Sequence, residues 1–174
     1  MVEIDVNHAV SFTGHRPERL DLPEATVQDW LEKQIRNAVE DGYTDFISGM
    51  QRGVDLWAAE IVLKLCDERK EKGIRLFAAA AFKGMESRWE MDWQKRYRTV
   101  LAAADEVIYV SDKPGRVAFF RRNEWMVDHS KRLIGVYTGA PGGTKETIQY
   151  AKKLGREVVL IDEKKKGGRE NGKI

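Results

Sequence analysis

Short apolar runs alternate along the chain with longer segments in which apolar residues recur at helical spacing. The runs are mostly continuous, as expected of parallel strands that are covered on both faces. They predict six strands, near residues 8–13, 44–48, 74–81, 106–110, 132–137 and 157–161. This rhythm is typical of repeated βαβ units, so it predicts an α/β domain with a doubly wound, mainly parallel sheet and helices on both faces.

Five helices are predicted between these strands, near residues 27–38, 54–65, 85–104, 118–130 and 144–154. In the first three, apolar residues recur on one helix face. Trp89, Trp93 and Tyr97 share such a face of the third helix, which we interpret as a packing surface or as a surface for self-association into a homodimer. Gly155 follows the fifth helix, at a position where helices commonly end with glycine.

Length and composition predict one domain followed by a short tail. The chain has 174 residues, of which 42% are hydrophobic and 33% charged, a balance that supports a single core. No repeat or linker divides the chain, so residues 1–162 are expected to form the domain. Residues 163–174 are polar, lysine-rich and glycine-containing, which predicts a solvated, flexible tail.

Charge and cysteine content narrow the classes of function. The formal net charge is +2, which gives no support for nucleic acid as a partner. The longest apolar run, residues 76–82, is too short to cross a bilayer, and no signal-peptide pattern is expected at the N-terminus. Cys66 is the single cysteine and the three histidines show no ligand spacing, so we expect no disulfide, no metal site and no cofactor. These features predict a cytoplasmic protein without membrane association.

The loop after the first strand reads Thr13-Gly14-His15-Arg16-Pro17. In doubly wound sheets, ligands bind outside the carboxyl ends of the strands, where this loop is expected. Gly14 permits a sharp turn or a close approach to a ligand, and His15 and Arg16 would point into the binding crevice. An arginine there can hold a phosphate through two parallel hydrogen bonds. The alternative is an ordinary turn in which Arg16 is solvated.

A second loop, from Ser48 to Asp55, leads from the second strand into a helix. Gly49 and Gly53 free its backbone, and the first amides of the following helix lack intrahelical partners and therefore bind anions well. Asp55 would accept a ribose hydroxyl, or it would simply interact with the positive end of the helix dipole.

Glycines also open the loop after the fifth strand. Gly142 and Gly143 precede Thr144, which is suited to cap the next helix or to donate to a phosphate. Arg122 and Asn123 lie early in the preceding predicted helix, from which the arginine would reach a phosphate over this loop. The alternatives are a capped helix without a ligand and a surface arginine.

Together these loops resemble the SLOG superfamily, and most closely its YpsA-like branch. The resemblance covers residues 11–161 and rests on four motifs, Phe12-Thr13-Gly14-His15-Arg16-Pro17, Ser48-Gly49 with Gly53-Val54-Asp55, Arg122-Asn123 with Met126, and Gly142-Gly143-Thr144. It implies a Rossmann-like fold and a nucleotide-derived ligand, and it is compatible with either a bacterial or a phage origin.

One related group, the LOG-type phosphoribohydrolases, cleaves the bond between a base and ribose 5′-phosphate. Its signature pairs an arginine, matched here by Arg122, with a glycine-rich loop that ends in a working glutamate. Ala140 and Pro141 replace the two leading glycines of that loop, and Thr147 occupies the position of the glutamate. Glu146 stands one residue early, which is a rotation of about 100° on a helix. Catalysis by Glu146 and Arg122 would therefore require a shifted turn.

A second related group, the DprA-like DNA-processing proteins, carries a similar loop, S-G-x-x-x-G-[IV]-D, and binds single-stranded DNA. Ser48, Gly49, Gly53 and Asp55 match this loop. Such binding usually needs a basic groove with stacking aromatics, so the near-neutral charge makes this the weaker inference. A third relationship, to SLOG domains that sense signalling nucleotides, requires a pocket but no catalytic glutamate.

Three functional hypotheses follow. The first, which Thr147 and the charge balance favour, is a protein that senses or sequesters a nucleotide or an ADP-ribose-like molecule. The second is an N-glycosidase of nucleoside 5′-monophosphates, in which Glu146 or Glu124 assists departure of the base. The third is a single-stranded DNA-binding module. The expected ligand-binding residues are Gly14, His15, Arg16, Ser48, Gly49, Gly53, Asp55, Arg122, Asn123, Gly142, Gly143 and Thr144.

Overall fold

Six strands form one sheet in the computed structural model, which describes residues 3–162. They are β1 (Ala9–Gly14), β2 (Asp45–Ser48), β3 (Arg75–Ala80), β4 (Glu106–Tyr109), β5 (Arg132–Tyr137) and β6 (Glu157–Asp162). Every neighbouring pair runs parallel, in the order β4-β3-β2-β1-β5-β6. The predicted tail, residues 163–174, lies outside the described residues.

Five α-helices connect these strands within the described part of the chain. They are α1 (Glu24–Glu40), α2 (Val54–Glu68), α3 (Met91–Ala103), α4 (Arg116–Asp128) and α5 (Gly143–Lys153). Short 3-10 turns lie at Val6–His8, Pro17–Arg19 and Lys70–Lys72. Across residues 3–162, no helix combines the length and the apolar character needed to span a membrane.

Both faces of the sheet are covered, which confirms the predicted doubly wound α/β fold. On one face, Phe46 of β2 belongs to a buried cluster with Leu31 of α1 and Trp57 of α2. On the other face, the next residue of the same strand, Ile47, packs with Met126 of α4. Because successive residues of a strand point to opposite faces, continuous apolar runs are what a sheet of this kind requires.

The strand order reverses direction at β1. The chain proceeds outward from β1 through β2 and β3 to β4, and then returns through α4 to β5 on the other side of β1. In register, Ser11 of β1 lies between Ile47 of β2 and Leu133 of β5. Such a switch point opens a crevice at the carboxyl ends of the two central strands, here β1 and β5.

The predicted start of α3 at Met85 is wrong, because the helix begins at Met91. Residues 84–89 instead form tight turns, in which the amides of Ser87 and Trp89 donate to carbonyls three residues earlier. The Gln94 side chain donates to the carbonyl of Trp89 at 2.8 Å. In a continuous helix this carbonyl would instead accept from a backbone amide. The spacing of apolar residues cannot predict a side-chain contact of this kind.

The three predicted aromatic residues pack within the chain itself, although only Trp93 and Tyr97 belong to α3 and Trp89 lies in the turns before it. Trp89 contacts the ring of Tyr97 edge-on, with 5.5 Å between centroids, and Trp93 lies tilted against Trp57 at 6.2 Å. Tyr97 is buried, and both tryptophans are half-buried against the main core. The packing role predicted for these residues is therefore confirmed, while self-association stays a prediction.

Candidate ligand-binding site

A cavity of about 370 Å³ lies at the carboxyl ends of the sheet, beside the switch point. Its walls come from the end of β1 and the loop after it, the start of α2, the first half of α4 and the start of α5. Nine of the twelve predicted ligand-binding residues line it, namely Gly14, His15, Arg16, Asp55, Arg122, Asn123, Gly142, Gly143 and Thr144. The loops that the sequence singled out separately thus converge on one space.

The three other predicted residues do not line the cavity but shape the loop behind it. Ser48 is fully buried, and its hydroxyl donates to the carbonyl of Asp55 at 2.8 Å and accepts from the amide of Met50. A Cβ on Gly49 would lie 2.7 Å from Asp55 Oδ2 and 2.9 Å from Arg122 Nη1. Gly49 is therefore needed for the close approach of those two charged side chains.

Two glycines bring the loop after β1 against the start of α2. Gly53 has a φ of 90°, and a Cβ on it would lie 2.9 Å from Pro17 Cδ. Gly14 faces Val54, and a Cβ on it would lie 2.6 Å from the Val54 Cβ. Close packing therefore accounts for glycine at these two motif positions, and neither glycine has to contact a ligand.

Gly14→Ala is expected to lower the free energy of unfolding by about 1–3 kcal/mol, because Val54 is branched and rigid and the overpacked strand and helix must separate. Gly143→Ala is the matched control, since a Cβ there would meet only Asn123 Nδ2, at 3.8 Å. Urea unfolding followed by tryptophan fluorescence measures both variants. Equal losses in the two would contradict this account of Gly14.

Asp55 and Arg122 are both buried and lie near each other in the cavity wall, on either side of Gly49. Arg122 Nη1 donates to the carbonyl of Gly49, and its Nε donates to Asn123 Oδ1 at 2.9 Å. Asp55 Oδ2 accepts from the amide of Gln51 at 3.3 Å. Burial raises the pKa of Asp55 to about 6, although the charge of Arg122 and the amide of Gln51 oppose this rise. Burial also lowers the pKa of Arg122, and the carboxylate of Asp55 opposes that change.

His15 lies between the cavity and the end of β5. Its Nε2 shares a hydrogen bond of 2.9 Å with Thr138 Oγ1, and its ring stacks on Tyr137 with 6.4 Å between centroids. Burial and the charge of Arg19 lower the pKa of His15 below its ordinary value, so the ring is mainly neutral at pH 7. His15 therefore offers the cavity a hydrogen-bonding edge and no positive charge.

The start of α5 presents open backbone to the cavity. Gly142 precedes the helix with a φ of 137°, and both it and Gly143 are exposed. The first amides of a helix have no intrahelical acceptors, and the helix dipole makes this end positive. Thr144 is buried beside them and lines the same cavity. This end of α5 is chemically suited to an anion.

The glutamate of the related hydrolases has no equivalent in the cavity. Thr147 is buried, and its hydroxyl donates to the carbonyl of Gly143 at 2.8 Å. Glu146 is exposed and lines a smaller neighbouring cavity instead, together with Glu124. Asp55 is the one carboxylate among the residues that line the large cavity.

Positive charge dominates the large cavity because two further arginines reach it. Arg19 and Arg116 join Arg16 and Arg122 in its lining, so four arginines surround a single carboxylate. Arg116 begins α4, directly after Gly115. Its place beyond the carboxyl end of β4 is the sequence signal that would have identified it. Phe120 of α4 also lines the cavity and was missed, since an apolar helix residue resembles core.

Among residues 3–162, the His, Cys, Asp and Glu side chains form no group of three that could hold a metal ion. His8 bonds Asp5 at 2.9 Å near the amino terminus, and His129 stacks on Trp125 with 4.1 Å between ring centroids. Both histidines therefore have local partners outside the large cavity.

Two of the solved structures that share this fold are DNA-processing proteins. DNA processing protein A from Helicobacter pylori, described for its single-stranded DNA binding mode, superposes with a TM-score of 0.65 at 14% identity over 97% of this chain and 70% of that chain. DNA processing protein A from Streptococcus pneumoniae gives a TM-score of 0.59 at 16% identity over 87% of this chain, which spans half of that one. At these identities the likeness establishes the fold alone.

Sequence comparison identifies the family. The UPF0398 protein of Halalkalibacterium halodurans is 34% identical over 153 residues, which cover 83% of this chain and 80% of that protein. The sequence model of the YspA SLOG family matches residues 10–162, nearly the whole of the described chain. The resemblance in the loop motifs is thereby confirmed, and the chain belongs to the YspA SLOG family.

Proposed function

We propose that the protein binds a nucleotide or an ADP-ribose-like phosphorylated molecule in the large cavity, and so senses or sequesters it. One observation carries the proposal: four arginines, the open start of α5 and the carboxyl end of β1 at Gly14 converge on a single cavity at the switch point of the sheet. Its volume of about 370 Å³ lies within the range of small-molecule sites.

The phosphates are expected at the end of the cavity formed by Gly142, Gly143 and Thr144. The amides there and the helix dipole favour negative charge. Because Arg122 already uses Nε and Nη1 within the protein, Nη2 is the nitrogen through which it would hold a phosphate. Arg16 and Arg116 are exposed in the lining of the cavity and are free to move toward the ligand.

Purified protein is incubated with nucleoside mono- and diphosphates, dinucleotides, ADP-ribose and ribose 5-phosphate, and retained compounds are identified by ultrafiltration and mass spectrometry. We expect Arg16→Ala and Arg116→Ala each to weaken binding of the retained compound by about 1–3 kcal/mol, since a charged hydrogen bond is lost. Arg121→Ala is the control, because Arg121 is exposed on α4 and does not line the cavity. Retention of none of these compounds, or equal effects of all three variants, would refute the proposal.

Hydrolysis of a nucleoside 5′-monophosphate is the second hypothesis and is tested in the same incubation. It would require Glu146 or Glu124 to act from the smaller cavity, because Thr147 is turned inward and bonded to Gly143. Release of a free base together with ribose 5-phosphate would support it. Unchanged release in Glu146→Gln would remove Glu146 from any catalytic role.

Single-stranded DNA is the third hypothesis, and the fold comparison makes it stronger than the net charge suggested. Both DNA-processing proteins share this fold, which weighs against the expectation that nucleic acid is not a partner. The arginines and Phe120 of the cavity are also residue types that contact phosphates and bases in proteins that bind single-stranded nucleic acid. Fluorescence anisotropy with a labelled oligonucleotide at two salt concentrations distinguishes this binding from that of a mononucleotide.

The proposal includes a cytoplasmic location, since the single Cys66 has no intrachain partner for a disulfide. Self-association as a homodimer is a separate proposal. Because Trp89 and Trp93 pack on the core of their own chain, a dimer would have to use another surface or only the exposed parts of these rings.

A further inference from the structure

A second, smaller cavity of about 60 Å³ lies between α4 and α5. Phe120, Asn123 and Gly143 line both this cavity and the large one, so the two spaces adjoin. A molecule whose phosphates lie at the start of α5 would therefore have its remaining part within reach of the smaller cavity.

The smaller cavity differs in chemistry from the large one. Phe120 stands at the border between them with 37% of its surface exposed, which is high for a large apolar side chain, and the guanidinium of Arg116 lies 5.8 Å from its ring centre. Tyr150 forms another wall, held in place by its hydroxyl, which donates to Asp128 at 2.7 Å. An exposed ring beside an arginine is suited to stack a flat, conjugated group.

The smaller cavity also carries the opposite charge to the large cavity. Its charged lining residues are Glu124 and Glu146, both exposed carboxylates, whereas arginines dominate the large cavity. A carboxylate accepts hydrogen bonds and repels phosphate. The paired cavities are thus complementary to a molecule with an anionic end and a flat end that donates hydrogen bonds.

We propose that the base of the bound nucleotide lies at the border of the two cavities with its edge in the cavity between α4 and α5, which selects bases that carry an exocyclic amino group. The ring stacks on Phe120, and the amino group donates to Glu146 or Glu124. This inference rests on the proposed function, because it assumes that the phosphates lie in the large cavity. It assigns the two glutamates a role in specificity, which needs no catalytic step.

Two matched pairs of nucleotides test the selection for an amino group. AMP is compared with purine riboside 5′-monophosphate, and GMP with IMP, because each pair differs only by one amino group. Isothermal titration calorimetry is expected to give a dissociation constant about tenfold or more lower for the amino member of at least one pair, the effect of one charge-assisted hydrogen bond. In Glu146→Gln or Glu124→Gln this ratio should fall to about threefold or less, while Asp92→Asn, an exposed carboxylate on α3, leaves it unchanged.

Phe120→Ala tests the stacking. Loss of base stacking is expected to weaken binding of the preferred nucleotide about 5- to 150-fold. Affinity for ribose 5-phosphate, which has no base, should stay within about twofold in the same variant. Val117→Ala is the control, since Val117 is 61% exposed on the same helix and lines neither cavity.

The outcomes separate this inference from the proposed function. Binding of all four nucleotides without discrimination, or discrimination that neither glutamine variant reduces, overturns the base site and leaves the phosphate site intact. Binding of ribose 5-phosphate alone also overturns the base site. If the protein binds neither ribose 5-phosphate nor any nucleotide, both the base site and the phosphate site are overturned.

Discussion

Arg122→Met is expected to lower the free energy of unfolding by about 3–5 kcal/mol at pH 8, and by clearly less at pH 5. The large loss arises because the variant leaves the mostly buried carboxylate of Asp55 without the positive charge beside it. The guanidinium also loses its bonds to the Gly49 carbonyl and to Asn123.

The pH dependence follows from the direction in which the pKa of Asp55 is shifted. Burial raises it to about 6 in the folded protein, above its ordinary value of 3.8, so protonation favours the folded state. The stability that this carboxyl contributes is complete below its unfolded pKa and is lost as the pH rises through about 6. Without Arg122 the folded pKa rises further, and the loss continues to higher pH and becomes larger.

Urea unfolding of the wild type and the variant at pH 5, 6, 7 and 8 measures this dependence as a difference between the two proteins, in which other titrations largely cancel. Arg121→Met controls for removal of an exposed arginine from the same helix. Adding Asp55→Asn to Arg122→Met should recover part of the stability at pH 8. A loss of equal size at every pH would show that the contacts of Arg122 matter and its charge does not.

Asp45→Ala is expected to lower the free energy of unfolding by about 3–5 kcal/mol, although it lies at the opposite end of the sheet from the cavity. Asp45 is fully buried, and Arg75 donates to its two oxygens at 2.9 and 2.6 Å. The same carboxylate accepts from the amide of Asp5 at 2.8 Å, which ties the amino-terminal segment to β2. Removing it leaves a partly buried guanidinium and an amide without an acceptor.

Glu60→Ala is the matched control for Asp45→Ala. Arg96 donates to both oxygens of Glu60 at 2.9 and 2.6 Å, but about a third of each side chain is exposed. Its removal should cost about 0.2–1 kcal/mol, because solvent screens the pair. The free energy from urea unfolding should separate the two variants clearly, and ligand binding well below the unfolding midpoint should survive both. Equal losses would mean that burial of Asp45 contributes nothing.

The strands were predictable because the signal for them is local. Residues 132–137 were expected as a strand and form β5, since an apolar run bounded by polar residues identifies a buried strand without reference to the rest of the fold. The start of α3 was not predictable in this way. Just before this start, the carbonyl of Trp89 accepts from the Gln94 side chain, and such a contact leaves no trace in hydrophobic spacing.

The site was partly predictable because all parallel strands end at the same edge. Gly14 ends β1, Asp55 and Gly143 follow β2 and β5, and each of the three lines the cavity. That edge alone does not say which loops meet, since this depends on β5 pairing with β1, a contact between residues more than a hundred positions apart. Arg116 enters the cavity for the same reason, because α4 must cross from β4 to β5.

The sequence by itself determined the α/β class, the family motifs and the chemistry offered by each loop, because these depend on residue type and near neighbours. Only the tertiary structure decided which of these residues line the large cavity, which lie behind its wall and which face another cavity. Ser48, Gly49 and Gly53 lie behind the cavity wall, Asp55 and Arg122 are buried together, and Glu146 faces a separate cavity. The reason is physical: burial and the pairing of charges follow from the packing of distant segments, and no local pattern encodes that packing.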